Sequence, residues 1–264
     1  MLFRSWEAQI RYFSRRYRCI AFNARGYAPS DVPKAVSKYS QAIATDDIAA
    51  VMRHLKIKKA HIIGCSMGGY ATIHFGLRYA RMALSLTAVG AGYGSDPDKR
   101  AQFMRDTEVM ARRFEELGTA EAIKPYQIGP ARVQFQNKDP RGFAHFCAEF
   151  AKHSALGSAN TLRGVQAKRP TIYSLERGLK KLKVPLHVVS GDEDNLCLEP
   201  GLFIKRVCAA ASLTVVANSG HAVNLEEPDL FNRLTAEFLA SVDSGRWRPR
   251  DPRSLNVSTM EKKR

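Results

Sequence analysis

A chain of 264 residues, 45% hydrophobic and 25% charged, can bury a large core, which excludes a disordered polypeptide as the reading of the whole. No apolar run approaches the ~18 residues of a membrane span, and the arginine-rich N-terminus shows no apolar stretch followed by a small-residue cleavage site. The formal net charge of +16 is gathered at the ends, with five Lys/Arg against one Glu in residues 1–18 and seven against two acids in residues 245–264, so specific nucleic-acid binding is not expected.

Residues 6–17 read as a helix whose apolar face carries Trp6, Ile10, Phe13 and Tyr17 at spacings of three and four. Cys19–Phe22 is short and apolar and predicts a strand, and the Gly, Pro and Ser of residues 23–30 predict a loop. A helix over 41–55 places Ile48, Val51, Met52 and Leu55 on one face. Ala60–Ile63 follows as a buried strand, Tyr70–Tyr79 as a helix and Ala83–Val89 as a strand. Such alternation, with apolar rather than alternating strands, predicts an α/β fold with a mainly parallel sheet covered by helices on both faces.

From Gly90 roughly ninety residues pass without a convincing strand, too many for an ordinary connection, and predict an inserted helical layer over 91–183. Asp96-Pro97 reads as an N-cap with proline at the first helical position; Phe103, Thr107, Met110, Phe114 and Leu117 then recur at helical spacing until Gly118. Phe143, Phe146, Cys147 and Phe150 form a second stripe, which serves as core or as the lining of a pocket beneath a lid. The strand Pro185–Ser190, a helix near 201–210, the strand Leu213–Val216 and a closing helix near 228–241 restore the alternation. The expected organisation is a core of residues 1–90 and 184–243, a lid of 91–183 and a basic, disordered tail of 244–264.

Chemistry concentrates at Gly64-Cys65-Ser66-Met67-Gly68-Gly69, between the strand at 60–63 and the helix at 70–79. A serine hydroxyl is a weak nucleophile at neutral pH and needs a base and hydrogen-bond donors for the oxyanion it generates. A tight strand–serine–helix turn aims the hydroxyl off the sheet, with small neighbours so that strand and helix can approach. The partners are expected in the order serine, acid, histidine, each in a loop after a later strand. Val188–Asp194 places Asp192 and Asp194 after one strand, and Val215–His221 places His221 after the next. The other histidines (His54, His61, His74, His145, His153, His187) lack ligand spacing, and the five cysteines show no zinc or redox pair, so no metal and no cofactor is expected.

From Trp6 to Leu239 the sequence resembles the α/β-hydrolase fold enzymes. Trp6–Ile10 looks like the first helix of that family, and Asn23–Asp31 is similar to its Asp-x-Arg-Gly-x-Gly-x-Ser-Asp loop, with Asn23 and Ala28 departing from the usual Asp and Gly. Gly64–Gly69 is similar to the nucleophile elbow, Gly191–Asp194 to the acid loop, and Gly220-His221 followed by Glu226-Glu227-Pro228 completes the set. The resemblance implies Ser66, Asp194 and His221 as triad, with Asp192 as the alternative acid, and the Met67 N–H as an oxyanion donor. A serine nucleophile implies hydrolysis of a small-molecule ester, thioester, lactone or carbon–carbon bond, or a perhydrolase reaction; the alternative is an impaired or non-enzymatic ligand-binding or scaffold member of the same fold. The partners implied are a small-molecule substrate and, at most, a second copy in a homodimer, with no membrane, in the cytoplasm.

The family's sheet also includes a strand ending in His-Gly that supplies the second oxyanion donor and lies between the strands at 18–22 and 60–63. Nothing before Arg4 matches it, and the two earlier strands of the usual eight-stranded sheet are missing as well. The expectation is a gap with unpaired backbone groups on both sides, and either a natural start some 30 to 50 residues upstream, typical of such segments, or a short chain of weakened activity.

Overall fold

The computed structural model of the chain describes residues 3–255, with side chains from residue 5 onward. Four parallel strands, β1 Ala60–Cys65, β2 Ala83–Val89, β3 Leu186–Gly191 and β4 Ala211–Val216, pair in sequence order. Before β1 come helices α1 Glu7–Phe13 and α2 Gln41–His54, and α3 Met67–Arg78 joins β1 to β2. Between β2 and β3 lie six helices: α4 Arg100–Ala122, α5 Lys124–Gln127, α6 Val133–Lys138, α7 Pro140–Ala151, α8 Ala155–Thr161 and α9 Glu176–Lys181. The chain then adds α10 Leu198–Val207 before β4, and α11 Val223–Glu226 and α12 Pro228–Asp243 after it.

The period-two geometry of the strands divides the core. Leu86 and Ala88 of β2, with Leu186 and Val188 of β3, join Tyr70, Ile73 and Phe75 of α3, Met52 of α2 and Ile204 of α10 on one face. Val89, Val189 and Val216 meet Val223 and Phe231 of α11 and α12 on the other. Parallel strands covered on both faces explain the apolar runs in the sequence. In α2 the most buried residues are Gln41, Thr45, Ala49 and Met52; of the predicted face, Met52 is buried in the core and Ile48 packs against it, while Val51 and Leu55 are half-buried.

Helix starts follow local chemistry. Ser40 accepts from the Ile43 N–H at 3.1 Å, Asp139 from Gly142 at 2.8 Å with Pro140 at the first helical position, and Ser154 from Gly157 at 3.1 Å. Asp96 is not the cap predicted for α4: its carboxylate closes a short turn on the Asp98 N–H at 3.0 Å, and the helix begins at Arg100. Gly118 breaks α4 with φ 73°, a left-handed conformation open to glycine.

Two further expectations are corrected. Cys19–Phe22 forms no strand, and Ile20 and Phe22 are 42% and 40% exposed. A strand needs a ladder partner, and among the described residues none pairs with this segment or with the outer edge of β1. The tail expected to be disordered is seated on the core over its first residues. Trp247 packs edge-on against Phe238 with centroids 4.9 Å apart, and the Arg250 guanidinium donates to the carbonyls of Lys205 and Arg206 at 3.0 and 2.8 Å, capping the C-terminal end of α10. Residues 256–264 of the expected tail lie outside the described residues.

His187 on β3 is buried against Phe238 and bonds Thr214 Oγ1 at 2.9 Å, while His74 lies within α3. Burial pushes both imidazoles from 6.5 down to about 4, with Arg169 adding to the effect at His74. The folded chain therefore keeps them neutral where the unfolded chain takes up protons. Their contribution is complete above pH 6.5 and is lost as the pH falls towards 4, a linkage of about 3 kcal/mol per histidine. Melting temperatures measured between pH 7.5 and 4.5 are expected to fall across this window, and to fall less in His187→Leu.

Candidate active site

Ser66 stands between β1 and α3 at φ 58°, ψ −115°, a backbone conformation that a residue with a side chain adopts only when its surroundings enforce it. The enforcement is visible. The Ser66 N–H donates to the Val89 carbonyl of β2 at 2.8 Å, and a Cβ on Gly64 would lie 2.2 Å from the Gly68 carbonyl oxygen. Strand and helix cross so closely that only glycine fits, and the serine hydroxyl is lifted off the end of the sheet. Met67 opens α3, where first-turn N–H groups have no acceptor within the helix.

The loop after β4 brings His221 over this turn. Its Nε2 lies 2.9 Å from Ser66 Oγ and its Nδ1 lies 2.7 Å from Asp194 Oδ2. The His221 and Asp194 side chains are only 7% and 2% exposed. The structure thus brings together the three side chains predicted from the sequence, and it separates the two candidate acids. Asp192 is fully exposed; its carboxylate accepts from the Ser219 N–H at 3.0 Å, and this bond, with a second from Asn218, holds it below the usual carboxylate range. It fastens the histidine loop from outside, and Asp194 alone reaches the imidazole.

Cys197 completes the buried cluster. Its Sγ lies 3.3 Å from the Gly90 carbonyl and 3.8 Å from His221 Nδ1, and burial holds the thiol well above 9. The donor atoms of Asp194, Cys197 and His221 fall within 4.8 Å of one another. A metal would need a thiolate and a free Nδ1. Here the thiol is held protonated and Nδ1 is engaged by Asp194, so the set suits a hydrogen-bonded relay better than an ion.

Residues 3–228 match the sequence profile of the alpha/beta hydrolase fold family. The chain belongs to that family. A 3-oxoadipate enol-lactonase of Acinetobacter baylyi is 26% identical over 232 residues, covering 86% of this chain and 80% of the relative. Among solved structures, a thermophilic esterase from Thermogutta terrifontis superposes with a TM-score of 0.80 at 22% identity, covering 92% of this chain and 86% of the other. MenH from S. aureus gives 0.82 at 17% identity, covering 92% and 90%.

Two residues at this hydrolase-fold site were given no role from the sequence: Glu226, named only within a pattern, and Lys138. Glu226, 5% exposed, accepts from the backbone N–H of Gly220 and of Ala222, at 2.5 and 2.8 Å, and so clamps the chain on both sides of His221. Lys138 of α6 reaches Glu227 at 2.5 Å and Ser219 Oγ at 3.3 Å, tying the helical layer to the same loop. The Gly-His…Glu-Glu-Pro pattern was legible; the inward turn of the first glutamate was not, since only the fold shows which acid faces two backbone donors. Glu226→Ala leaves both donors buried and unpaired. It is expected to cost about 2–4 kcal/mol in denaturant unfolding, whereas Glu227→Ala, at a half-exposed ion pair, is expected to cost about 1 kcal/mol or less.

Proposed function

We propose that this family member is a serine hydrolase that cleaves a small-molecule ester, thioester, lactone or carbon–carbon bond through an acyl-enzyme, with residues 91–183 as the lid over its site. The observation that carries the reading is the continuous chain Asp194–His221–Ser66, ending on a serine at φ 58°. An enol-lactonase among the relatives and an esterase among the structural neighbours support the ester and lactone side of that range.

For an ester or lactone, the geometry runs the reaction in two balanced halves. Ser66 Oγ attacks the acyl carbon while its proton passes to His221 Nε2, 2.9 Å away. The carbonyl oxygen takes up the negative charge beside the N–H of Met67, at the positive end of α3. Asp194 holds the imidazole with Nε2 facing the serine and steadies the imidazolium. The intermediate collapses with expulsion of the alkoxide, which receives the proton from His221. Water then repeats the attack on the acyl-enzyme with His221 as base, releasing the acid and restoring Ser66.

A fluorophosphonate probe tests the nucleophile directly. It is expected to label the wild-type chain at Ser66 and to leave Ser66→Ala unlabelled; equal labelling of the two, or of neither, rejects the reading. Turnover of a nitrophenyl ester separates the acids: Asp194→Asn is expected to lose about 10⁴-fold in kcat, and Asp192→Asn less than tenfold.

A further inference from the structure

Arg132, just before α6, is 2% exposed, yet among the described residues it has no carboxylate partner. Its guanidinium lies over the rings of Tyr126 and Phe146, 4.9 and 5.3 Å from their centroids. One terminal nitrogen donates to the Tyr126 hydroxyl, the other to the Ala131 carbonyl at 3.3 Å, and the Nε–H meets no acceptor. Among the other buried or half-buried arginines of the helical layer, Arg163 and Arg100 are better served, whereas the Nε–H of Arg113 and of Arg169 also meets no acceptor. What sets Arg132 apart is its place beside the loops of Asp194 and His221. Arg163 pairs with Glu108 and Glu115, Arg100 donates to three carbonyls, and Arg169 lies 3.7 Å over Tyr70 while donating to Tyr93. A buried cation without a counter-charge is costly and is tolerated where something else supplies the charge.

The position of Arg132 says where that charge belongs. Two residues on, Gln134 donates to Glu193 at 2.6 Å, and its Cβ lies 3.6 Å from where a Cβ on Gly220 would stand. With Lys138 on Ser219, these contacts set the segment 132–138 directly on the loops that carry Asp194 and His221. Burial pushes the thiol of Cys65, the neighbour of Ser66, up to about 12, and the largest opposing influence is the Arg132 charge.

We propose that Arg132 is an anion subsite of the acyl pocket and that the substrate carries a carboxylate, held by the free edge of the guanidinium between the rings of Tyr126 and Phe146. A guanidinium edge matches a planar carboxylate in two parallel hydrogen bonds. The single charge, flanked by aromatic faces, suits a monoanion on an apolar chain better than a phosphate dianion. The assignment of this carboxylate to a substrate rests on the reading of Ser66 as nucleophile, but binding at Arg132 does not.

Two measurements separate the two ideas. In the first, Ser66→Ala is titrated calorimetrically with the straight-chain diacids from succinate to suberate, with their dimethyl esters as neutral probes and with inorganic phosphate. At least one diacid is expected to bind, and Arg132→Met in the same background to weaken it about 10- to 100-fold while leaving the neutral probes unchanged. In the second, the Ser66 enzyme is assayed on the monomethyl esters of the same diacids. They are expected to exceed the dimethyl esters about 10- to 100-fold in kcat/KM; Arg132→Met erases the preference, Arg132→Lys retains part of it, and the dimethyl esters change less than threefold. Arg132→Met is expected to melt no lower than wild type, since it removes an uncompensated buried charge. The proposal is overturned if no diacid binding depends on Arg132, if phosphate binds more tightly than every diacid, or if Arg132→Met depresses both ester classes alike. Arg132-dependent binding without fluorophosphonate labelling would reject the nucleophile and keep the anion subsite; labelling without such binding would do the reverse.

Discussion

The close crossing of β1 and α3 at Ser66 is the constraint on which the molecule depends. A side chain at positive φ is an unfavourable conformation, and it persists because a neighbouring strand accepts the Ser66 N–H and because Gly64 leaves no room for relaxation. Everything else in the core serves that turn. The parallel sheet fixes Val89 beside it, α3 buries Ile73 and Phe75 in the same core as Leu86 of β2, and the loops after β3 and β4 emerge at the same end of the sheet to deliver Asp194 and His221. In an open parallel sheet the carboxyl ends of the strands are where side chains from distant parts of the chain converge.

The histidine loop is held by layered contacts rather than one. Asp192 grips it from outside, Glu226 from beneath, and Lys138 from the helical layer above. A backbone pinned at Ser219, Gly220 and Ala222 gives the His221 imidazole little freedom to turn, which is what the proposed proton transfers in both directions require. Through Lys138 the helical layer is thereby tied to the loop that carries His221.

How much of this could be read from the sequence depends on the range of the interaction involved. The strand–serine–helix turn was legible because its steric demand falls on residues within five positions of Ser66. β2, whose bounds were predicted outright, was legible because a mostly buried strand is rich in apolar residues with only the small polar Ser85 and Thr87 among them. Asp194 and Asp192 could not be separated by local chemistry, since they share a loop and differ only in which side of it they face. Cys19–Phe22 has the composition of a strand but is not one here, because a strand is a relation between two segments and no described segment pairs with it. Trp247 and Arg250 read as solvated tail because their partners, Phe238 and the end of α10, are brought near only by the fold. Arg132 left no trace in the sequence at all: one arginine among many is unremarkable until its burial and its missing counter-charge are seen.

Cys197 gives the site a chemical reporter of its own. A thiol that is fully buried and held protonated is inert to alkylating reagents while the loops around it stay closed. It touches the Gly90 carbonyl and lies 3.8 Å from His221, so exposing it disturbs the surroundings of His221 too. Its rate of alkylation under native conditions would therefore clock the local opening of the Asp194–His221–Ser66 cluster, independently of any bound molecule.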